Sequence, residues 1–187
     1  MAIKIYIDQG HNPSPPNTGA EGNGYREQDI TYEVGVRLAQ LLNQNGNFQT
    51  RLSRPTVNTQ LGSSNASSLR VRVDDANSWG ADYFISIHAN ASNQSSANGT
   101  EVLVYRSPSR AASLAADILR EITEITGLNS RGVKERPGLY VLRKTNMPAV
   151  LVELGFITNP RDAQLMANSP SLFAQGIYRG ILDYLDL

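Results

Sequence analysis

The stretch Tyr83-Phe-Ile-Ser-Ile87 decides the fold class of this chain. It is an almost continuous apolar run that ends at His88, and such runs are typical of strands buried on both faces of a parallel sheet. Near the start of the chain, Ile3-Lys-Ile-Tyr-Ile7 alternates with a period of two, which predicts a second strand ending at Asp8. Both predicted strands lead into polar residues, so we expect polar side chains to gather beyond the carboxyl ends of the strands.

Predicted strands and helices alternate along most of the chain. Further strands are predicted over four segments: 48–52, 101–105, 139–142 and 149–153. Apolar residues at helical spacing predict helices over 30–42, 69–78 and 108–126, and two closing helices begin at Asn159-Pro160 and Ser169-Pro170. This alternation favours an α/β fold with a largely parallel sheet covered by helices on both faces. A length of 187 residues fits a single domain over residues 1–187.

The composition argues against several classes of function. Lys+Arg 17 balance Asp+Glu 17, so no excess of positive charge is present to bind nucleic acid or anionic lipid. Cys 0 excludes disulfides, thiol nucleophiles and thiolate metal sites, so a metal would need His, Asp or Glu. No apolar run reaches the roughly 18 residues that a membrane span requires. Residues 1–7 alternate where an export signal would be continuously apolar, so we expect no signal peptide in this chain.

The chain has His 2, and each histidine follows a predicted strand. His11 comes after the first strand, and His88 ends the strand at 83–87. We expect both to face the crevice in which α/β proteins bind ligands. A lone histidine at a strand end is more often a structural residue held by a hydrogen bond. Two at the same edge favour a metal site, because two histidines and one carboxylate form a known catalytic zinc site.

The third ligand should be a carboxylate near the first histidine. Glu21 and Glu27 are the two candidates in or just after the loop that follows His11. Glu27 is better placed, because it opens the predicted helix over 30–42, and a helix holds a ligand more rigidly than a glycine-flanked loop does. The alternative for Glu27 is an acidic residue that merely stabilises a helix N-terminus.

Glu153 interrupts the apolar segment Ala149-Val-Leu-Val-Glu-Leu-Gly-Phe156. A carboxylate near a buried strand end costs several kcal/mol unless it is paired, protonated or linked to a metal. Burial would raise its pKa, which suits a general base or acid beside a metal-bound water. The alternative is an internal salt bridge to an arginine such as Arg143 or Arg161. Serine-triad and nucleotide chemistry are disfavoured, because neither a Gly-x-Ser-x-Gly elbow nor a phosphate-binding loop is present.

A series of motifs resembles the zinc-dependent N-acetylmuramoyl-L-alanine amidases of the type-3 amidase family. The Ser86-Ile-His-Ala-Asn90 and Glu153-Leu-Gly-Phe-Ile-Thr-Asn-Pro160 blocks are the specific ones. The other matching segments occur in order along the chain: Ile7–His11, Gly19-Ala20, Gly24–Glu27, Leu52–Pro55, Gly99–Val102, Arg131–Val133, Leu139–Arg143, Met147–Val152 and Asp162. One departure is Asp8-Gln-Gly-His-Asn12, where the family usually has Asp-Pro-Gly-His-Gly.

The resemblance implies a mixed, mostly parallel six-stranded sheet with helices on both faces. It also implies one zinc ion held by His11, Glu27 and His88, with Glu153 as the catalytic glutamate. The implied reaction is hydrolysis of the amide bond between N-acetylmuramic acid and L-alanine in peptidoglycan, so the implied partner is the bacterial cell wall. Two alternatives stay open: another zinc exopeptidase on a related scaffold, and a wall-binding module without catalysis. The route to the wall and the oligomeric state are not predicted.

Overall fold

A six-stranded sheet carries the fold, as the computed structural model shows for residues 2–187. The strands in these residues are β1 (Ile3–Gln9), β2 (Glu21–Gly22), β3 (Tyr25–Arg26), β4 (Phe48–Leu52), β5 (Tyr83–Asn90), β6 (Thr100–Val104), β7 (Ser130–Glu135) and β8 (Ala149–Phe156). The helices in the same residues are α1 (Glu27–Gln44), α2 (Asn65–Trp79), α3 (Arg110–Thr126), α4 (Tyr140–Lys144), α5 (Pro160–Asn168) and α6 (Pro170–Leu185). The short strands β2 and β3 form a separate antiparallel pair.

The strand order of the main sheet is β4-β1-β5-β8-β6-β7. The strands β4, β1, β5 and β8 are parallel, whereas β6 is antiparallel to β8 and parallel to β7. The predicted mixed, mostly parallel six-stranded sheet is therefore confirmed. Because of this topology, the carboxyl ends of β1, β5 and β8 and the amino ends of β6 and β7 lie at one edge of the sheet.

Helices cover both faces of the sheet, also as predicted. Alternate residues of β5 point to opposite sides: Ile85 and Ile87 pack in the larger core under α1, α3, α5 and α6, while Phe84 packs in the smaller core under α2 and α4. Each such buried side chain contributes about 1.5–3 kcal/mol to folding. None of the helices within residues 2–187 combines the length and the apolar character that crossing a membrane requires.

Two segments differ from the prediction. The apolar run at 139–142 was expected as a strand, but it forms the short helix α4, whose Val141 and Leu142 are buried against the smaller core. A run of four apolar residues fits a short buried helix as well as a strand, so its pattern is ambiguous. The sixth strand is instead β7, which was not predicted. It lies at the sheet edge and is polar, so it lacks the apolar alternation that marks a strand.

Candidate metal centre and active site

Three side chains from different elements meet at the carboxyl edge of β1 and β5. His11 follows β1, Glu27 is the first residue of α1, and His88 lies in β5. One possible donor atom from each residue lies within 4.8 Å of the other two. His11 Nε2 is 3.1 Å and His88 Nδ1 is 3.0 Å from the same oxygen, Glu27 Oε1. The fold thus brings together the three residues that the sequence predicted as a ligand set.

Glu27, rather than Glu21, is the carboxylate that reaches the two histidines. The Glu21 side chain is 69% exposed in β2, with its nearest cationic partner, Arg26 Nε, at 3.8 Å. The Glu27 side chain is only 5% exposed. Its Oε2 accepts a hydrogen bond from the backbone N–H of Ala20 at 2.9 Å, and its Oε1 accepts one from the N–H of Ala89 at 3.0 Å. These bonds fix the carboxylate in the centre of the cluster.

The donor set fits a small divalent cation. Ligands that sit about 2.0–2.1 Å from a tetrahedral metal ion are about 3.3 Å apart, close to the 3.1 and 3.0 Å between the imidazole nitrogens and Glu27 Oε1. Burial raises the pKa of Glu27, but hydrogen bonds and positive charge from His11 and His88 outweigh burial and hold that pKa well below its usual range. Glu27 is therefore ionised, as a metal ligand must be.

Two glycines allow the side chains of this cluster to approach so closely. A Cβ atom on Gly10 would lie 2.5 Å from Cε1 and 2.7 Å from Nε2 of His88. A Cβ atom on Gly19 would lie 2.7 Å from Oε2 of Glu27 and 2.9 Å from Cδ2 of His11. Any larger residue at either position would push a member of the cluster out of place.

A buried ion pair supports the backbone at His11. His11 has a φ of 67°, a conformation that costs a non-glycine residue about 1–2 kcal/mol. Arg72 Nη2 donates to the His11 carbonyl at 2.6 Å, and Arg72 Nη1 donates to Asp8 Oδ1 at 2.6 Å. Ser86 Oγ donates to the other oxygen of Asp8 at 2.7 Å. Burial raises the pKa of Asp8, but the charge and hydrogen bond of Arg72 outweigh it and hold the pKa below its usual range. The pair therefore stays charged and holds the strained loop.

Glu153 lies in β8, directly opposite His88 of β5 in the register of the sheet. Its Oε2 atom is buried and has no hydrogen-bond partner among residues 2–187. Neither arginine considered from the sequence compensates it. Arg161 donates to the carbonyl of Gly127 at 3.4 Å, and Arg143 is an exposed residue of α4, at the end of β8 away from Glu153. The carboxyl group is therefore left available beside the histidine and carboxylate cluster.

The surroundings of Glu153 favour its protonated form. Burial raises the pKa of Glu153 to about 8, and the negative charges of Glu27 and Glu101 add to the increase. A cation held by the neighbouring donor set would act in the opposite direction, because positive charge favours the carboxylate. Such a group can exchange a proton near neutral pH, which is what general acid–base catalysis requires.

The comparison with known protein families agrees with this arrangement. Residues 5–183 match the family profile described as N-acetylmuramoyl-L-alanine amidase. The chain belongs to this amidase family. It is also similar to the N-acetylmuramoyl-L-alanine amidase CwlM of Bacillus licheniformis, with 39% identity over 180 residues that cover 95% of this chain and 65% of that protein. The first curated relatives are longer, and the chain spans between 35% and 65% of their length.

Two solved amidase structures share the fold of the whole chain. The N-acetylmuramoyl-L-alanine amidase from Clostridium difficile 630 has a TM-score of 0.88 at 31% identity, covering 99% of this chain and 97% of that one. The catalytic domain of CwlV from Bacillus (Paenibacillus) polymyxa var. colistinus has a TM-score of 0.85 at 33% identity, covering 98% of both chains. The resemblance derived from the sequence motifs is thus confirmed at the level of family and fold.

Sequence reasoning assigned no role to two buried charged residues of this amidase-family chain, Arg72 and Glu101. Arg72 lies at helical spacing beside Leu69, Val73 and Ala76 on the buried face of α2, so its position in the apolar stripe was the available signal. Glu101 lies in β6, where no local pattern distinguishes it from an exposed strand residue. Its importance follows only from the pairing of β6 with β8.

Proposed function

We propose that this chain is a zinc-dependent N-acetylmuramoyl-L-alanine amidase, which hydrolyses the amide bond between N-acetylmuramic acid and L-alanine in peptidoglycan. Family membership supports the reaction and the substrate. One observation carries the proposal furthest. The buried Oε2 atom of Glu153 has no hydrogen-bond partner among residues 2–187, and Glu153 lies opposite His88, a member of the converging His11, Glu27 and His88 set. The substrate would place the action of the protein at the bacterial cell wall.

His11, Glu27 and His88 would hold one zinc ion. Imidazole nitrogen and carboxylate oxygen are usual zinc ligands, and catalytic sites with three protein ligands keep one position open. When bound, zinc supplies the Lewis acidity that makes water a nucleophile near neutral pH and polarises the scissile carbonyl. Gly10 and Gly19 contribute indirectly, because their lack of a side chain lets the ligands converge.

Glu153 would move the proton during hydrolysis. Its carboxylate accepts a proton from the attacking water, and the resulting carboxylic acid donates that proton to the nitrogen of the leaving alanine. The C–N bond of the amide breaks, so the products are a muramoyl carboxylate and a peptide with a free L-alanine N-terminus. A pKa raised by burial suits this double role, since the same group must act first as a base and then as an acid.

Two measurements on the purified protein test the proposal. Atomic absorption should give one zinc ion per chain. Digestion of defined muropeptides should release peptides with a new L-alanine N-terminus, and this release should stop after chelation and resume when zinc is added back. Cleavage of simple peptides without release of L-alanine N-termini from muropeptides would instead identify an exopeptidase. Binding to purified wall with neither product would reduce the protein to a wall-binding module.

A further inference from the structure

We propose that Lys134, together with Arg131, forms a subsite that binds a free carboxylate of the leaving peptide. The inference rests on the proposed function, because it assigns a substrate class to the same site. It concerns a cluster of charged residues around Glu101, one strand beyond Glu153, which has no part in the metal centre. Glu101 is the register partner of Glu153 across the antiparallel pair of β6 and β8.

The cluster contains two cations and one carboxylate. Arg131 Nε donates to Glu101 Oε2 at 3.1 Å, and Lys134 Nζ donates to the same oxygen. Asn90 Nδ2 donates to the other oxygen of Glu101 at 3.2 Å. Neither cation is within ion-pair distance of another carboxylate among residues 2–187. One positive charge therefore remains uncompensated beside the proposed catalytic residue.

The uncompensated charge is accessible from an open polar cavity. This cavity has a volume of about 410 Å³ and is lined by both cations and by Asn98 and Asn129, among others. The side chains of Arg131 and Lys134 are 37% and 32% exposed, so each can contact a ligand while bound to Glu101. Arg131 is further held by a hydrogen bond from Nη1 to the carbonyl of Asn98 at 3.2 Å, which leaves Lys134 as the less constrained cation.

The position of the cavity sets which carboxylate can reach it. Lys134 and Arg131 lie in β7, two strands beyond β8, and neighbouring strands are about 4.8 Å apart. The charged groups of Lys134 and Arg131 therefore lie roughly 5–10 Å from β8, measured across the sheet. The shorter distance applies where their side chains extend over β6 toward Glu153. An extended peptide advances about 3.3 Å per residue. A carboxylate on the second or third residue from the scissile amide fits this span.

Binding of a matched pair of ligands tests the subsite. The probes are N-acetylmuramoyl-L-alanyl-D-glutamate and its fully amidated counterpart, which has the same shape but no carboxylate. Calorimetric titrations use the zinc-loaded Glu153→Gln protein, so that turnover does not deplete the probes. At low ionic strength we expect the carboxylate probe to bind about tenfold more tightly than the amide, as charge-assisted hydrogen bonds allow.

Two further substitutions, each made in the zinc-loaded Glu153→Gln protein, should change the preference for the carboxylate probe in opposite directions. Lys134→Gln removes the extra positive charge and leaves Glu101 paired with Arg131, so the preference should fall to within about twofold. Glu101→Gln adds one net positive charge and should increase the preference. The control Lys144→Gln removes an exposed lysine of α4 and should leave the preference unchanged.

The subsite proposal is overturned if the two probes bind equally well, if neither binds at millimolar concentration, or if Lys134→Gln keeps the full preference. Each of these results is independent of catalysis. The proposed function fails separately, if the zinc-loaded wild-type protein releases no L-alanine N-terminus from muropeptides.

Discussion

Replacement of Glu153 by glutamine should stabilise the metal-free protein, and the gain should grow with pH. Burial and the charges of Glu27 and Glu101 raise the pKa of Glu153 from 4.5 to about 8. The folded chain therefore binds a proton that the unfolded chain has released. The stability that comes from the protonated group is fully present below pH 4.5 and is lost as the pH rises through about 8.

The size of the effect follows from the shift. At pH 7 the unfolded carboxyl group is 2.5 units above its pKa of 4.5, while the folded group is still mostly protonated. At about 1.4 kcal/mol per unit, the wild-type protein is about 3 kcal/mol less stable at pH 7 than it would be without titration of this group. Glutamine resembles the protonated acid in shape and does not titrate, so the variant avoids this cost.

Urea unfolding in the presence of EDTA at pH 5, 6, 7 and 8 measures the difference directly. We expect the free energy of unfolding of Glu153→Gln to exceed that of the wild type by an amount that grows by about 3–4 kcal/mol from pH 5 to pH 8. The control Glu124→Gln changes an exposed carboxylate of α3 and should show no such trend. Parallel stability curves for Glu153→Gln and the wild type would refute the reasoning, because Glu153 would then titrate alike in the folded and unfolded chains.

Three further substitutions test other parts of the site. The variant His88→Ala should lose both zinc and turnover. The variant Glu153→Gln should keep stoichiometric zinc by atomic absorption, while its turnover falls about 10²–10⁴-fold. Equal zinc loss in both variants would contradict the separate roles of His88 and Glu153. The variant Gly10→Ala should displace the His88 ring and weaken zinc binding about tenfold or more in a chelator competition, and unchanged affinity would show that the ring adapts. The variant Arg72→Met should lower the free energy of unfolding, measured by urea unfolding, by about 3–5 kcal/mol, because Asp8 is left buried without its partner. A loss below about 1 kcal/mol would show that the ion pair does not hold the loop.

Local patterns in the sequence predicted most of the elements, but edge and short elements escaped them. The buried strands β1 and β5 and the helices α5 and α6 carry strong signals, because alternation, helical spacing and a proline at the start of a helix each have a direct structural cause. The helix α4 and the strand β7 carry weak ones. A four-residue apolar run fits either structure, and a polar edge strand depends on its neighbour rather than on its own pattern.

The candidate site shows the same division. His11 and His88 could be predicted, because each follows a strand and strand ends gather at one edge of a parallel sheet. Glu27 and Glu153 could also be predicted, because Glu27 opens the helix after the loop that follows His11 and Glu153 interrupts an apolar strand. The motif resemblance implied the same residues, and the roles that it assigns to them stay predictions. The support from Arg72 and the proposed subsite around Glu101 could not be predicted, because both depend on which strands and helices lie side by side.

The sequence by itself determined the types of side chain available, the family and the order of most strands and helices, because these depend on residues that are close together along the chain. The tertiary structure alone decided that Glu153 has no cationic partner among residues 2–187 and that Arg72 holds the backbone at His11. It also decided that two cations bind the carboxylate of Glu101, one strand beyond Glu153. These facts depend on strand order and register, which place residues far apart in sequence within a few ångströms of each other.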